Sequence, residues 1–368
     1  MKENSKTKNI AIFINSLSGG GAEKVMLSLA LGLKSAGHNV HFFLLTPLIE
    51  YLPSKELPTH ILYSNMRHSK STNMFNIRKT SADMKALVKS VTSEYGEFDL
   101  HLSNLDSTSK VLSRCNFNNT FYILHNALSQ ELKREAKLGP IKYWRKRLGK
   151  KAYNNKNLIA VSDGVKNETL SGKYIKAKSV IRIYNPSDIE TITKLAAEHN
   201  SQIPNEPYLV HAGRAAKQKR HDILFQALAL VPDIKLVLLC KHHKKLRKIA
   251  AKYGVEDRII TPGFQENPYN WFANAKLLIS SSDYEGLGMN LIDSLICQTP
   301  VVSTNCDYGP NEILTGEQAE FLTPLNDPEA LANSIIRALK SPPSIDSEYI
   351  NKQFSIDSSV KAYLNLIE

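Results

Sequence analysis

Apolar and polar positions along the first sixty residues form blocks that predict alternating strands and helices. Asn9–Asn15 is a short isoleucine-rich run, and Ala22–Ser35 places its valine and leucines on one helical face before Gly37 ends the pattern. The next apolar run is Asn39–Thr46. A strand, a glycine loop (Ser16–Gly21), a helix and a second strand in this order predict a βαβ unit with a parallel sheet.

The same alternation continues through the chain and restarts after Pro186. In the first half, further strands are predicted at 100–102, 120–124, 158–161 and 180–184, and helices at 80–95 and 131–155. In the second half, strands are predicted at 208–212, 235–240, 259–260, 277–280 and 301–303, and helices at 219–230, 243–253 and 288–298. Residues 187–207 are expected to form a connecting helix and linker. The pattern predicts an α/β protein of two Rossmann-like domains, 1–185 and 186–368, whose parallel sheets face one another across a cleft.

Composition adds an uneven charge to this picture. The chain of 368 residues has a formal net charge of +12 and is 42% hydrophobic, enough for a sizeable core in each half and too much for a disordered chain. Residues 1–185 hold 29 Lys and Arg against 13 Asp and Glu, whereas 186–368 hold 18 against 22. The densest basic stretch, 133–156, suits a polyanion such as nucleic acid, an anionic membrane face or a phosphorylated substrate.

The cysteines and the N-terminus bear on the compartment. Cys115, Cys240, Cys297 and Cys306 include no Cys-x-x-Cys pair and are expected to be buried free thiols in a reducing environment. No apolar run has the length of a signal-peptide core or of a membrane-spanning helix. We therefore expect a cytoplasmic protein, at most peripheral on the inner face of the cytoplasmic membrane.

Glycine and charged residues follow several predicted strands, where ligands of parallel sheets bind. Gly19-Gly20-Gly21 opens the first helix, where bare backbone N–H groups could approach a phosphate or simply form a flexible turn. Arg214 and Lys219 follow strand 208–212 and could neutralise a diphosphate, or lie in a solvated loop.

The segment Ser281–Leu295 (SSDYEGLGMNLIDSL) is the most informative stretch. Glu285 lies in a loop after a strand, Gly286 and Gly288 precede a helix N-terminus, and Asp293 lies inside that helix. The two carboxylates could accept hydroxyl hydrogen bonds from a sugar and a ribose with anion-binding amides between them. A capping acid and a solvated aspartate are the alternative.

His125 ends the run YILH and could position or deprotonate an acceptor hydroxyl, although a lone histidine is more often structural. The sequence has no nucleophile elbow, no His-Glu-x-x-His motif and no Asp-x-Asp pair, so no catalytic metal is expected.

Together these segments resemble the group 1 glycosyltransferases, the large retaining family (family four) with the GT-B fold. The matching pieces occur in the family's order: SLSGGGAEKVMLSLALGLKSAGHNV, YILHN, AVSDGV, IYNP, HAGRAAKQKRHDILFQAL, PGF, SSDYEGLGMNLIDSLICQTPVVST and CDYGPNEIL. The resemblance implies an acceptor-binding domain at 1–185 and a nucleotide-sugar domain at 186–368, with 346–368 crossing back to the first.

By position, the resemblance implies a donor site and a catalytic set. Arg214 and Lys219 would clamp the diphosphate, Glu285 would hold sugar hydroxyls, and His125 would lie beside the reacting centre. The donor-binding set would be completed by Gly20, Gly21, Gly286, Leu287, Gly288, Met289, Asn290 and Asp293. Two departures stand out: the family usually has Glu where this chain has Asp293, and often a glycine-rich turn near the nucleobase where it has Lys241-His242-His243.

The function implied is transfer of a sugar, with retention, from a nucleotide-diphosphate donor to a saccharide or lipid-linked acceptor. We expect the donor to be a UDP-sugar and the transferred group to be a hexosyl or N-acetylhexosaminyl group. The expected role is in bacterial lipopolysaccharide, O-antigen or capsule synthesis, and no cofactor or metal is expected. A nucleotide-sugar epimerase or phosphorylase of the same fold is the alternative enzyme.

A nucleic-acid-binding protein is the alternative from another class, but no recognisable module accompanies the basic segment, so no nucleic-acid partner is expected. Apolar and aromatic residues accompany the cations over 131–156, which suits either an anionic membrane surface or a solvated, partly buried helix.

Overall fold

The computed structural model describes residues 6–18, 20–50, 56–65, 72, 73, 75–241 and 243–367, and it divides the chain into two compact units. Unit 1 comprises Met1–Pro186 and Ile356–Glu368, and unit 2 comprises Ser187–Ser355. Each unit contains one parallel β-sheet and several helices, which confirms the predicted α/β class.

Unit 1 is built on a seven-stranded sheet in the order β3-β2-β1-β4-β5-β6-β7. Its strands are β1 (Asn9–Ile14), β2 (Asn39–Leu44), β3 (Thr59–Ile61), β4 (Leu100–Asn104), β5 (Thr120–Leu124), β6 (Asn157–Ala160) and β7 (Ser179–Arg182). Its helices are α1 (Gly21–Ser35), α2 (Ile77–Tyr95), α3 (Asp106–Leu112), α4 (Leu128–Ala136), α5 (Pro140–Lys150) and α6 (Asp163–Leu170), and α15 (Ile356–Leu364) comes from the end of the chain.

The central strand β1 is apolar on both faces because helices cover both sides of a parallel sheet. In β1 every residue from Ile10 to Ile14 is fully buried. The helix predicted over 131–155 is instead two helices, α4 and α5, followed by a 3-10 turn at Lys151–Tyr153. Gly139 has a φ of +117° and Pro140 has no N–H to donate, so the helix breaks between them.

Helix α15 packs directly on α1 at a glycine. A Cβ added at Gly32 would lie 2.2 Å from Cγ2 of Ile356, so only glycine allows this approach. Two hydrogen bonds fix the same segment: Ser359 Oγ donates to the carbonyl of Tyr184, and Asn119 Nδ2 donates to the carbonyl of Leu366. The last helix is therefore an integral part of unit 1.

Unit 2 is built on a six-stranded sheet in the order β10-β9-β8-β11-β12-β13. Its strands are β8 (Tyr208–Ala212), β9 (Lys235–Leu239), β10 (Ile259–Gly263), β11 (Leu277–Ser280), β12 (Val301–Thr304) and β13 (Leu322–Thr323). Its helices are α7 (Ile189–Ala196), α8 (His221–Leu230), α9 (His243–Ala251), α10 (Tyr269–Ala273), α11 (Met289–Ile296), α12 (Pro310–Ile313), α13 (Pro328–Lys340) and α14 (Ser347–Phe354), with a 3-10 turn at Lys217–Lys219.

A continuous hydrophobic core joins the sheet of unit 2 to α8, α9 and α13. Leu236 and Leu238 of β9 face Leu224 and Leu228 of α8 and Leu331 of α13 in this core, and all five are at least 99% buried. Each such side chain contributes roughly 1.5–3 kcal/mol of hydrophobic stabilisation. The core holds the sheet rigidly, so its carboxyl edge presents loops in fixed positions.

Candidate active site

The order of strands in unit 2 reverses between β8 and β11, which are neighbours although β9 and β10 lie between them in sequence. Ligands of open α/β sheets bind at the carboxyl ends of strands at such a point. Gly213 and Arg214 follow β8, and Glu285 lies in the loop after β11. The structure thus brings the two most informative sequence segments to one edge of one sheet.

Lys219 and Glu285 form an ion pair at this edge. Lys219 Nζ lies 2.6 Å from Glu285 Oε1, and the two side chains are only 14% and 12% exposed. Neighbouring hydrogen bonds hold both loops: Gln218 Nε2 donates to the carbonyl of Tyr284 at 2.6 Å, and Ser281 Oγ donates to the carbonyl of Lys219 at 2.8 Å. Lys219, predicted to bind the diphosphate, and Glu285, predicted to bind the sugar, are therefore held in contact with each other.

The four cations of this loop differ in how they are bound. Arg220 adopts a left-handed φ of +44° and its guanidinium binds Asp222, Asp283 and Asn326, so it holds the loop together. The hydrogen bond with Asp222 raises the pKa of Arg220 above the ordinary arginine value. Arg214 and Lys217 are exposed, and neither side chain has a hydrogen bond or ion pair with the described residues. Arg214 is thus not bound to another described side chain, and its predicted contact with a diphosphate stays a prediction.

The loop after β12 supports Glu285 from the other side. Glu285 N–H donates to the carbonyl of Asp307 at 3.1 Å, and Tyr308 N–H donates to the carbonyl of Glu285 at 3.2 Å. Gly309 has a φ of +105°, and a Cβ added there would lie 2.0 Å from the carbonyl oxygen of Leu287. Only glycine fits, so Gly309 is a supporting residue of the site. It lies within the matching piece CDYGPNEIL, yet sequence reasoning gave it no role.

Helix α11 starts within the run of predicted donor-binding residues. Gly288 precedes its first residue, Met289, with a φ of +102°, and Asn290 Nδ2 donates to the carbonyl of Ala212 at 3.3 Å. That bond ties the start of α11 to the end of β8. Gly286 and Leu287 are buried beneath the loop, whereas Asp293 lies partly buried in the second turn of α11.

Two buried histidines lie below the Lys219–Glu285 pair. His211 Nδ1 binds the carbonyl of Ile279 at 2.9 Å, and its ring meets that of His221 edge to face at 4.9 Å between centroids. Burial lowers the pKa of His211 to about 4 and that of His221 to about 2, with Lys219 opposing protonation of both. Both rings are therefore neutral at physiological pH.

This neutrality predicts acid sensitivity of unit 2. Between pH 6.5 and 4 the unfolded chain binds protons that the folded unit excludes, so its free energy of unfolding falls as the pH falls through that range. Between pH 7 and pH 5 each histidine should lower the free energy of unfolding of unit 2 by about 2 kcal/mol. Urea unfolding of His221→Phe should show a smaller loss between these pH values than the unsubstituted chain. The exposed His199→Phe should behave like the unsubstituted chain, and an equal loss in all three proteins would contradict the assignment.

Unit 2 also carries an exposed aromatic side chain at this sheet edge. Phe264 follows β10 and is 54% exposed, and Lys241 Nζ lies 4.8 Å from the centroid of its ring. Lys241 belongs to the departure from the family pattern noted in the sequence. His242 lies outside the described residues, and the side chain of His243 is likewise not described.

In unit 1, Gly20 and Gly21 lie at the N-terminus of α1, after the switch-point strand β1. Gly19 lies outside the described residues. A Cβ added at Gly20 would lie 2.3 Å from Glu23 Oε2, so the absent side chain makes room for this buried carboxylate beside the helix N-terminus. Gly21 has no atom within 4 Å of a built Cβ. The packing of Glu23 therefore explains why residue 20 is glycine, and this explanation requires no bound ligand.

His125 is held by Asn104 at the carboxyl edge of the unit 1 sheet. Asn104 Nδ2 donates to the carbonyl of Phe13 at 3.4 Å, which turns its Oδ1 towards His125 Nε2 at 2.9 Å. His125 Nε2 is therefore the protonated nitrogen, and Nδ1 carries the lone pair. Burial lowers the pKa of His125 to about 4. The neutral ring suits orientation of an acceptor hydroxyl, and sequence reasoning had missed its orienting partner Asn104.

The described parts of the chain contain neither a metal-binding cluster nor a membrane-spanning helix. No group of three or more His, Cys, Asp or Glu side chains within them is arranged to hold a metal ion. None of the helices over those residues is both long and apolar enough to cross a membrane. Cys115, Cys240, Cys297 and Cys306 are all free and buried.

Comparison with known proteins defines the class of this fold. The sucrose-phosphate synthase tll1590 of Thermosynechococcus elongatus has a TM-score of 0.77 at 20% identity, over 98% of both chains. Alr3699/HepE of Anabaena, solved with UDP and glucose, has a TM-score of 0.74 at 20% identity, over 97% of this chain and 98% of the other. The chain has the GT-B glycosyltransferase fold, as predicted.

Sequence comparison then gives the family. The model of the family described as glycosyl transferases group 1 matches residues 194–353. A relative from Campylobacter jejuni, N-acetylgalactosamine-N,N'-diacetylbacillosaminyl-diphospho-undecaprenol 4-alpha-N-acetylgalactosaminyltransferase, is 25% identical over 96% of this chain and 95% of its own. Residues 194–353 thus match the group 1 glycosyltransferases, which supports the resemblance seen in the motifs of the chain. The chain is a glycosyltransferase, and the epimerase, phosphorylase and nucleic-acid-binding alternatives are not favoured.

Proposed function

We propose that this enzyme transfers a hexosyl or N-acetylhexosaminyl group, with retention, from a UDP-sugar to a saccharide or lipid-linked acceptor of a bacterial surface glycan. The observation that most supports this proposal is the Lys219–Glu285 ion pair at the switch point of unit 2. UDP bound to the Anabaena protein supports the donor nucleotide, and the diphospho-undecaprenol acceptor of the Campylobacter jejuni relative supports a lipid-linked acceptor.

Different residues of unit 2 would bind different parts of the donor. Arg214 and Lys219 would neutralise the diphosphate as its bond to the sugar breaks, and the N-terminal amides of α11 would add their dipoles. Glu285 would accept hydrogen bonds from sugar hydroxyls and fix the ring, and Asp293 would hold the ribose. In this proposal the two cations supply the charge that a metal supplies elsewhere, so transfer should persist in EDTA.

The residues of unit 1 would act on the acceptor. With Nε2–H bound to Asn104, His125 presents Nδ1 as an acceptor for the attacking hydroxyl. Its lowered pKa favours orientation over full proton abstraction before the bond to the leaving group breaks.

A donor screen followed by product analysis tests the proposal. Thermal shift against UDP-, GDP-, ADP- and CMP-sugars should select a UDP-sugar, and UDP should be released only when a saccharide or polyprenyl-diphosphate saccharide is added. NMR of the product should show the donor's anomeric configuration. Release of a free epimer or a sugar phosphate without acceptor would overturn the assignment, as would inversion at the anomeric carbon.

We further propose that α5 places the enzyme on an anionic membrane surface. Ile141, Trp144 and Leu148 recur at helical spacing and are 82%, 61% and 54% exposed. Lys142 and Arg145 lie beside them on the helix. Apolar and aromatic side chains flanked by cations match the headgroup boundary of a membrane. The cytoplasmic face of a bacterial membrane is the surface this proposal requires.

Vesicle binding should depend on the exposed apolar side chains of α5. The double variant Ile141→Ser, Trp144→Ser should bind phosphatidylglycerol vesicles about tenfold more weakly in sedimentation assays, because it removes apolar area that would enter the bilayer. Leu170→Ser, which changes a leucine that is 58% exposed elsewhere in unit 1, is the matched control. Equal binding to phosphatidylcholine vesicles, or no change in the double variant, would count against the proposal.

A further inference from the structure

Unit 1 contains a small cavity beside His125 whose lining includes four charged residues. The cavity has a volume of about 160 Å³, and its lining includes Asp106, Glu131, Lys146 and Lys150. An engineered cavity of roughly 150 Å³ holds one benzene molecule. This cavity therefore has room for one six-membered ring, with substituents directed to its open side.

The four charges, here called the four-charge cluster, pair with one another in a ring. Lys146 Nζ lies 2.5 Å from Asp106 Oδ2 and 3.0 Å from Glu131 Oε2, and Lys150 Nζ lies 2.8 Å from Asp106 Oδ1 and 2.6 Å from Glu131 Oε2. Tyr153 Oη adds a hydrogen bond of 2.7 Å to Asp106 Oδ1. Each ammonium group bridges both carboxylates, so the charges of the cluster sum to zero.

Asp106 and Lys146 both stay ionised near neutral pH. Burial disfavours the charged form of Asp106, but Lys150 and Lys146 outweigh it and hold its pKa far below the usual range. Burial likewise disfavours the charge of Lys146, but Asp106 and Glu131 raise its pKa. The wall thus offers carboxylate acceptors and ammonium donors side by side without a net charge.

The cluster is positioned by a strained residue and retains accessible surface. Leu105, which also lines the cavity, has a φ of +65° and a ψ of +151°, a region used almost only by glycine. Such strain costs of order 1–3 kcal/mol and is concentrated at functional sites. The side chains of Asp106, Glu131 and Lys146 remain 25%, 17% and 23% exposed, although Glu131 Oε2 is itself buried. A ligand can therefore reach the cluster through the exposed parts of these side chains.

We propose that this cavity binds one uncharged pyranose ring of the acceptor, with the four-charge cluster as its hydrogen-bonding wall. The inference rests on the proposed function and names the chemistry of the acceptor's terminal unit. Sugar hydroxyls both donate and accept, so they can bind carboxylates and ammonium groups at once. A phosphate or carboxylate would meet a wall that contains two carboxylates and has no net charge, unlike the donor site, where the exposed Arg214 adds a positive charge. Charged parts of the acceptor are therefore excluded from the cavity.

Saturation-transfer NMR with the full chain tests the cavity without a donor. The probes are the methyl α-glycosides of glucose, galactose, N-acetylglucosamine and N-acetylgalactosamine, with phenyl phosphate as the charged probe. The unsubstituted chain should bind at least one glycoside and should bind phenyl phosphate more weakly than that glycoside. Glu131→Gln should weaken glycoside binding at least tenfold, because it removes a charged hydrogen-bond acceptor. Lys146→Gln serves as a second variant if Glu131→Gln does not fold.

Two controls locate the bound glycoside. Glu135→Gln changes a glutamate one helical turn away that pairs with Arg134, and it should bind as the unsubstituted chain does. Lys217→Ala, which changes an exposed lysine of unit 2, should also leave glycoside binding unchanged. Absence of glycoside binding, tighter binding of phenyl phosphate, or full glycoside affinity in Glu131→Gln and Lys146→Gln would overturn the proposal.

Parallel transfer assays separate this inference from the proposed function. If Glu131→Gln loses glycoside binding but no nucleotide sugar is turned over by any form, the cavity assignment stands and the proposed function fails. If transfer proceeds and the KM for the acceptor is the same in Glu131→Gln, Lys146→Gln and the unsubstituted chain, the proposed function stands and the cavity assignment fails.

Discussion

Replacing Lys219 by alanine should lower kcat for sugar transfer by about 100- to 1000-fold, the loss typical of removing one group that stabilises transition-state charge. Lys219 is mostly buried at the carboxyl edge of the unit 2 sheet and bound to Glu285 at 2.6 Å, so its position is fixed before any donor arrives. Charge that develops on the departing diphosphate would meet a cation that needs no reorganisation. Steady-state kinetics with the selected UDP-sugar measure the loss.

The control for this variant is Lys217→Ala, two residues earlier in the same 3-10 turn. Lys217 is exposed and has no ion pair with the described residues, so its loss should change kcat less than threefold. Circular dichroism should show both variants folded. If Lys219→Ala retained near-normal turnover, or if the two variants lost activity equally, Lys219 would have no special part in transfer.

Replacing Lys150 by methionine should destabilise unit 1 by about 3–5 kcal/mol, the cost typical of breaking a buried ion pair by removing one partner. Lys150 is 2% exposed and lies within 2.8 Å of both Asp106 and Glu131, which would be left undercompensated. Methionine keeps most of the side-chain volume, so the loss reports charge more than packing. Urea unfolding followed by a probe in unit 1 measures the change.

Lys151→Met is the matched control, because the neighbouring lysine is exposed. It should shift the free energy of unfolding by less than about 0.5 kcal/mol, as surface substitutions usually do. A small effect for Lys150→Met would mean that the four-charge cluster contributes little to stability. The cavity wall would then be held by other contacts.

The sequence predicts most of the framework because buried parallel strands leave a strong local signal. The runs NIAIFI, YLVHA and KLVLL are mostly apolar, and the strands β1, β8 and β9 form over these segments. The long helix expected over 131–155 was wrong because its periodicity continues across Gly139 and Pro140, although their backbone cannot. Local pattern thus predicts which elements exist better than where they end.

The site was predictable one residue at a time but not as an arrangement. Lys219 and Glu285 were each singled out, yet their ion pair joins positions 66 residues apart in sequence. Arg220 and Arg214 look equivalent in the sequence, and only the structure shows that Arg220 is occupied by Asp222 and Asp283. The roles of these residues in donor binding remain predictions that the Lys219 experiment begins to test.

The four-charge cluster had no signal in the sequence. Its members come from α3, α4 and α5, and within a dense basic segment Lys146 and Lys150 look like any other surface lysine. Their acidic partners are separated from them by up to 44 residues. Pairing of this kind depends on how helices pack, which composition and periodicity do not encode.

The contact between α1 and α15 has a consequence for synthesis on the ribosome. All of unit 2 is translated between the two helices, so unit 1 cannot close over Gly32 until the last helix has left the exit tunnel. Unit 2 is contiguous in the chain and can fold as it emerges. Unit 1 therefore stays incomplete until α15 is released, and until then the surface of α1 that receives α15 is uncovered.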